Sequence, residues 1–365
     1  MPSGTNLASS SHRVPTPEEP EPPSPDPLAE RWKRLVALAR GKKHALVLTH
    51  DNPDPDSIAS AVGLGFLLEE LARVPARVAY GGIVGRAENR ALVRVLRLPL
   101  TPVSRIEFRD YDFVALVDTQ PDCGNHSLLA RAPLDVVIDH HPARAGSDAV
   151  AFAQVGGGYG ATASVVTGYL RAAGVELPRS VATALFYGIK SDTRDLGREF
   201  GPIDVDNYRW LFPRVDHLAL SQIEHPSLPT SYFAAFHRAL GKAMRYGEAV
   251  VADLGDVYAP DIVAEVAERL VSLVDMRWSL ALGAYEGHLY FSVRTNDRRM
   301  NAGRLVQQIV DEDGEGGSAG GHGSMAGGWV PLPEGDAHAV GRFRRKLVQE
   351  FLREFGAPVQ GEKLV

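Results

Sequence analysis

Cysteine is nearly missing from this chain, with Cys123 its sole representative. No internal disulfide can form and no thiolate metal cluster can be built, so any metal must be held by imidazole and carboxylate groups. Long apolar runs are missing too. No stretch of even 18 apolar residues occurs, and the first thirty residues have no apolar signal core. Neither a membrane span nor a secretory leader is therefore expected, and the cytoplasm is the expected compartment. An excess of positive charge is also lacking: 39 basic residues face 45 acidic ones, for a net charge of −6. That balance argues against a protein that coats long nucleic acid and leaves a small or short anionic substrate. Finally, the pattern Gly-x-x-x-x-Gly-Lys-Ser/Thr does not occur, which excludes a nucleotide-binding P-loop.

What is present is ordinary globular material. Apolar residues make up 44% and charged residues 23% of 365. At ~150 residues per domain the length predicts two units. Residues 1–27 are expected to form a disordered tail, because Val14 to Pro27 holds seven prolines and four acidic side chains in fourteen residues and cannot build a core. Leu28, Trp32, Leu35 and Leu38 then recur at helical spacing. Short apolar runs at 45–48, 113–117 and 136–138 alternate with helical patterns at 58–71, 162–172 and 181–189. That order predicts an α/β unit with a parallel sheet and helices on both faces, whose functional crevice lies beyond the carboxyl ends of the strands. The character changes near 226–245, where Leu228, Phe233, Phe236 and Leu240 suggest a connecting helix. Strand patterns at 249–252, 279–285 and 288–294 follow, the last two joined through Glu286-Gly287, and a helix over 337–355 closes the chain. The expected units are thus 28–225 and a smaller α/β unit over 246–365.

Each N-terminal apolar run ends at a charged or imidazole residue. The first runs into His50-Asp51-Asn52-Pro53-Asp54-Pro55-Asp56, the second into Asp118, the third into Asp139-His140-His141. Two prolines are expected to stiffen the first loop and keep His50, Asp54 and Asp56 on irregular backbone. The plain alternative is that Asp56 or Ser57 caps the following helix. Taken together, three strands deliver carboxylates and imidazoles to one sheet edge, and clustered carboxylates need a positive partner. No lysine or arginine stands at these loop starts, so a pair of cations is the economical answer. Asp192, after the helix at 181–189, is a fourth contributor.

The order His-x-x-x-Asp-x-Asp, a strand-end Asp, Asp-His-His and Ser191-Asp192-Thr193 resembles the DHH phosphoesterase superfamily. Gly320-Gly321-His322-Gly323-Ser324-Met325-Ala326-Gly327 is similar to the GGGHxxAAG signature of its C-terminal DHHA1 domain. The resemblance implies two Mn²⁺ ions, with Mg²⁺ or Co²⁺ as substitutes. His50 and Asp54 would hold the first ion, Asp56, His140 and Asp192 the second, and Asp118 would bridge them. It further implies that Asp139 orients His140, that His141 faces the substrate, and that Arg294, Gly320, Gly321 and His322 contact it. The implied reaction is metal-assisted hydrolysis of phosphate esters in short oligonucleotides or small nucleotides, such as 3′-phosphoadenosine 5′-phosphate. A cyclic dinucleotide phosphodiesterase and a non-catalytic nucleotide-binding regulator are the alternatives, and a homodimer is compatible with either.

Two features stand apart. Eight glycines in sixteen residues over 313–328 read as a flexible linker by composition, or as a loop whose bare backbone approaches a phosphate. The stretch 160–164 opens a helix, as a plain cap or as an anion-binding terminus. Arg194 and Arg198 follow Asp192 where many relatives carry glycine and an aromatic residue.

Overall fold

The computed structural model describes Leu28 and residues 30–365, apart from 131, 145, 298–301, 304–305, 308–309, 311–316, 323–324, 333–336 and 359. The Pro-rich tail expected over 1–27 lies outside the described residues.

The first unit is built on six parallel strands: β1 (Ala45–Leu48), β2 (Ala76–Tyr80), β3 (Leu100–Pro102), β4 (Phe113–Val117), β5 (Val136–Asp139) and β6 (Phe152–Val155), in the order β3-β2-β1-β4-β5-β6. β1, β4 and β5 are buried at every position, which is why they read as unbroken apolar runs rather than alternating ones. One face is covered by α1 (Arg31–Ala39), α2 (Pro55–Leu67), α3 (Ala87–Leu96), α4 (Thr162–Ala172), α5 (Arg179–Asp192), α6 (Pro202–Leu211) and α7 (His217–Glu224), all of which send side chains into one core with Ala45, Val47, Ala115 and Ile138. The opposite face departs from expectation. Leu46, Leu48, Val114, Leu116 and Val137 pack there against Val103, Ile106, Phe108 and Tyr111, from single 3-10 turns and extended segments. The connections from β3 to β4 and from β5 to β6 carry only single 3-10 turns in place of a crossover helix.

The order of the strands reverses between β1 and β4, so the crevice beyond their carboxyl ends is the switch point where such sheets bind ligands. α2 begins one residue after Asp54, with Pro55 in its first position and the Asp54 carboxylate accepting from the Ser57 N–H at 2.9 Å. Two expectations change here. Proline at the first helical position preorganises the helix instead of forbidding it, so Asp56 projects from the first turn of α2 rather than from irregular backbone. The cap is Asp54, not Asp56 or Ser57.

α8 (Thr230–Lys242) leads to a seven-stranded mixed sheet of β7 (Met244–Tyr246), β8 (Ala249–Asp256), β9 (Trp278–Tyr285), β10 (His288–Thr295), β11 (Ser318–His322), β12 (Met325–Pro331) and β13 (Glu362–Lys363), ordered β11-β12-β10-β9-β8-β7-β13. β8 and β9 are parallel across α9 (Asp261–Leu270), and the other pairs are antiparallel. α8 and α9 cover one face, and α10 (Ala337–Glu354) contributes Leu347 and Phe351 to the core on the other. β9 and β10 are joined by Glu286 and Gly287, both at positive φ (44° and 76°), the backbone of a two-residue hairpin turn. Of the described residues in the glycine-rich stretch, 318–322 and 325–328 are strand rather than linker or loop. Gly320 and Gly327 sit opposite each other in the β11–β12 ladder, and His322 is paired with Met325.

The two units touch through α9. A Cβ on Gly85 would lie 1.8 Å from Asp261 Oδ1, so a larger residue there would displace the Asp261 carboxylate, and Arg86 pairs with Glu268 beside it.

Candidate metal centre

The ligand-bearing side chains meet at the carboxyl ends of β1, β4 and β5. His50, Asp54 and Asp118 present ligand atoms within 4.8 Å of one another, and so do Asp56, His140 and Asp192. A third such group, Asp118 with His140 and His141, joins the two. His50 Nε2 lies 3.8 Å from Asp54 Oδ1 and 3.7 Å from Asp118 Oδ2. His140 Nε2 lies 3.7 Å from Asp118 Oδ1 and 3.4 Å from Asp192 Oδ2. Asp118 thus faces both groups, one oxygen toward each.

Local structure sets these orientations. The Nδ1 atoms of His50 and His140 meet the carbonyls of Asp51 (2.9 Å) and Tyr159 (3.2 Å), which turns both Nε2 atoms into the crevice. The loop between β1 and α2 is fastened by Ser127 Oγ donating to Asp51 Oδ1 at 2.7 Å and Asn89 Nδ2 donating to the Pro53 carbonyl at 3.2 Å. Asp118 leaves β4 at φ 59°, with its N–H on the Ile138 carbonyl at 2.8 Å. Left-handed backbone at a non-glycine residue costs ~1–3 kcal/mol and persists only where its surroundings enforce it.

Two residues essential to this arrangement escaped sequence reading. Thr162 Oγ1 donates to Asp118 Oδ1 at 2.8 Å and accepts from the His140 N–H at 3.1 Å. The first N–H groups of α4, from Thr162 and Ala163, each donate to an Asp56 oxygen at 2.7 Å. The stretch 160–164 is therefore an anion-binding helix terminus whose anion is the protein's own carboxylate. Gln120 Nε2 donates to Asp139 Oδ2 at 2.7 Å, while its Oε1 accepts from Ser147 Oγ at 2.6 Å. Asp139 does not orient His140 as expected. Its Oδ1 meets His141 Nδ1 at 2.8 Å, while His140 Nδ1 is taken by the Tyr159 carbonyl.

The electrostatics state the need for cations. Burial, then Asp118 and Asp192, pushes the Asp56 carboxyl well above its ordinary range. Burial, then Asp54, lifts Asp118 to about 7 and raises Asp192 as well. Burial would lower His50, but the Asp54 hydrogen bond and the charges of Asp54 and Asp118 push it up to about 10. His141 rises to about 9 against burial, through Asp139. Among the described residues, no ion pair links Asp54, Asp56, Asp118 or Asp192 to a lysine or arginine. Mixed nitrogen and oxygen donors carrying uncompensated negative charge fit Mn²⁺ or a neighbouring divalent transition metal.

The substrate-contact candidates lie elsewhere. Arg294 is buried near the end of β10, Gly320 and Gly321 are exposed on β11, and His322 ends that strand. Arg194 lines a cleft between the two units, whereas Arg198 bears electrostatically on Asp192.

A parallel sheet whose switch-point crevice gathers imidazoles and carboxylates in two adjoining groups fits a metal-dependent hydrolase. Residues 44–189 match the DHH family, N-terminal domain. An uncharacterized protein of Methanocaldococcus jannaschii is 33% identical over 333 residues, which cover 89% of this chain and 67% of that one. An exopolyphosphatase-related protein from Bacteroides fragilis shares the fold, with a TM-score of 0.69 at 15% identity over 89% of this chain and 97% of its own. The chain belongs to the DHH family of phosphoesterases.

Proposed function

We propose that the chain is a phosphodiesterase that cleaves short single-stranded oligonucleotides or small nucleotides, using two divalent cations, Mn²⁺ foremost. The observation that carries this reading is the shared Asp118, which stands between His50 with Asp54 on one side and His140 with Asp56 and Asp192 on the other. Those six residues would hold the pair. When bound, the cations would supply the charge that readies water for attack on phosphorus and offsets charge on the phosphoryl oxygens.

The remaining work falls to the chain. Thr162 Oγ1 donates to Asp118 Oδ1 and the α4 terminus donates to both Asp56 oxygens, which fixes the orientation of the two carboxylates. His141, whose Nδ1 meets Asp139 Oδ1 at 2.8 Å, is suited to donate a hydrogen bond to a phosphoryl oxygen or a proton to the departing oxygen. In this reading residues 246–365 form the DHHA1 substrate-binding domain. The exposed backbone at Gly320 and Gly321 admits a phosphate closely, and His322 and Arg294 contact substrate.

The test is one panel with Mn²⁺: RNA and DNA of two to five nucleotides, longer single strands, 3′-phosphoadenosine 5′-phosphate, a cyclic dinucleotide and pyrophosphate. Fastest turnover of the shortest oligomers is expected. Preference for the cyclic compound would reassign the substrate, and nucleotide binding without any hydrolysis would refute the proposal.

A further inference from the structure

His50 and His140 are held alike, each with Nδ1 on a main-chain carbonyl, of Asp51 at 2.9 Å and of Tyr159 at 3.2 Å. What stands behind those carbonyls differs. A peptide group carries its N–H opposite its C=O, so an acceptor on the N–H polarises the carbonyl as well. Behind His50 the peptide runs from Asp51 to Asn52, and the Asn52 N–H donates to the Gly81 carbonyl at 3.0 Å. That chain of bonds ends on a neutral group. Behind His140 the peptide runs from Tyr159 to Gly160, and the Gly160 N–H donates to Asp204 Oδ2 at 2.8 Å. That chain ends on a carboxylate.

Asp204 is fully buried, at 0% exposure. Its Oδ2 takes a second N–H, from Gly201 at 2.7 Å, while its Oδ1 meets no donor in the chain. As the third residue of α6 it closes a capping box at the helix start, a task that a neutral amide performs as well. Capping therefore accounts for an oxygen at this place but not for a charge, which is costly to bury. The backbone is shaped for the contact. A Cβ on Gly160 would lie 2.5 Å from the Glu199 carbonyl oxygen, and one on Gly201 would lie 2.6 Å from that of Gly158. Bare backbone at both positions lets the loop ahead of α4 and the segment ahead of α6 close over the carboxylate.

We infer that Asp204 is a positioning residue of the metal centre, acting on His140 through the Tyr159–Gly160 peptide. Its charge draws the Gly160 N–H and makes the Tyr159 carbonyl a stronger acceptor. The His140 ring is thereby held with hydrogen on Nδ1 and the lone pair of Nε2 facing the crevice. A metal-bound imidazole commonly meets either a carbonyl or a carboxylate; here the two stand in series. His50 has no such backing, so the two sides of the centre carry imidazoles of unequal donor strength. The inference rests on the two-cation reading and deepens it, because it assigns the stronger imidazole to the side shared with Asp56 and Asp192.

The experiment is a calorimetric titration of the full chain with Mn²⁺ alone, as wild type, Asp204→Asn and Asp216→Asn. Asp216 caps α7 through the Leu218 and Ala219 N–H groups, so its variant controls for loss of a capping charge. Asp204→Asn is expected to weaken one of two Mn²⁺ binding steps about tenfold, ~1.4 kcal/mol, and to leave the other within about twofold. Asp216→Asn should leave both within about twofold. A proton–nitrogen spectrum of the diamagnetic, Mg²⁺-loaded chain reads the hydrogen bond itself. The His140 Nδ1–H resonance, identified by its loss in His140→Gln, should move upfield in Asp204→Asn while that of His50 stays in place. Asp204→Ser, smaller and still able to accept one N–H, carries the same expectation if the amide variant does not fold. Equal weakening of both steps would make Asp204 a clamp on the fold and overturn the inference, as would unchanged steps with an unmoved resonance. A wild type that takes up fewer than two Mn²⁺ refutes the two-cation reading and the inference with it, so the two failures are read from different samples.

Discussion

Stripping the metal should invert the usual dependence of stability on pH, and the Asp118 environment gives the size of the effect. In the metal-free chain this carboxyl titrates near 7 instead of its ordinary 3.8. Between those values the unfolded chain releases the proton while the folded one keeps it. Stability therefore falls as pH rises through that window and levels off above 7. At ~1.4 kcal/mol for each tenfold change, the loss is on the order of 4 kcal/mol. The part of that loss above pH 5 is on the order of 3 kcal/mol, which for a unit of this size lowers the melting temperature by roughly 5–10 °C at pH 8 relative to pH 5. Asp56 acts in the same sense, and so does His50, whose protonated form is favoured up to about 10 and begins to lose that stabilisation above 6.5. The assay is calorimetric melting from pH 5 to 8, in EDTA and in millimolar Mn²⁺. With Mn²⁺ the trend should reverse, because cations bind the deprotonated ligands, and occupancy at 100 to 1,000 times Kd contributes ~3–4 kcal/mol. A metal-free melting temperature that is flat or rises between pH 5 and 8 would refute the reasoning. Asp118→Asn should flatten the metal-free slope and abolish most of the stabilisation by Mn²⁺.

His141→Gln should lower kcat by ~10²–10⁴ with little change in KM, measured on the shortest substrate found. Thr162→Val removes a donor to Asp118 and an acceptor for the His140 N–H. It should weaken Mn²⁺ binding ~10–100-fold by calorimetric titration while the chain stays folded. Gly188→Ala would set a Cβ 2.9 Å from the Ala59 Cβ and 3.2 Å from the Pro55 carbonyl. The crossing of α2 and α5 should then open at a cost of ~1–3 kcal/mol in denaturant unfolding, with a loss of metal affinity because the start of α2 shifts.

His50, Asp118 and His140 were legible as sheet-edge residues because each closely follows an apolar run that reads as a buried strand. A polar residue directly after such a run has to lie at the sheet edge, so His50, Asp118 and His140 could be placed from order alone. Thr162 and Gln120 could not. Their roles consist of bonds to partners 44 and 19 positions away in the chain, and nothing in their neighbourhood distinguishes them from a helix cap and a turn residue. The sequence also misled at Pro55, where the same ring that forbids helix interiors starts one. In the glycine-rich hairpin, pairing of β12 with β10 overrides the poor strand propensity of glycine. β2, β3 and β6 passed unnoticed because each is short and only partly buried, so their apolar signal is broken.

The left-handed backbone at Asp118 narrows the alphabet available there before any chemistry is asked of it. Glycine fits without strain, asparagine and aspartate fit best among the rest with local polar support, and β-branched or bulky side chains are strained there by ~1–2 kcal/mol. Of the tolerated three, one alone carries a negative charge. A saturation library at this codon should accordingly sort into three bins: one functional clone, two soluble but inert ones, and a remainder that accumulates poorly.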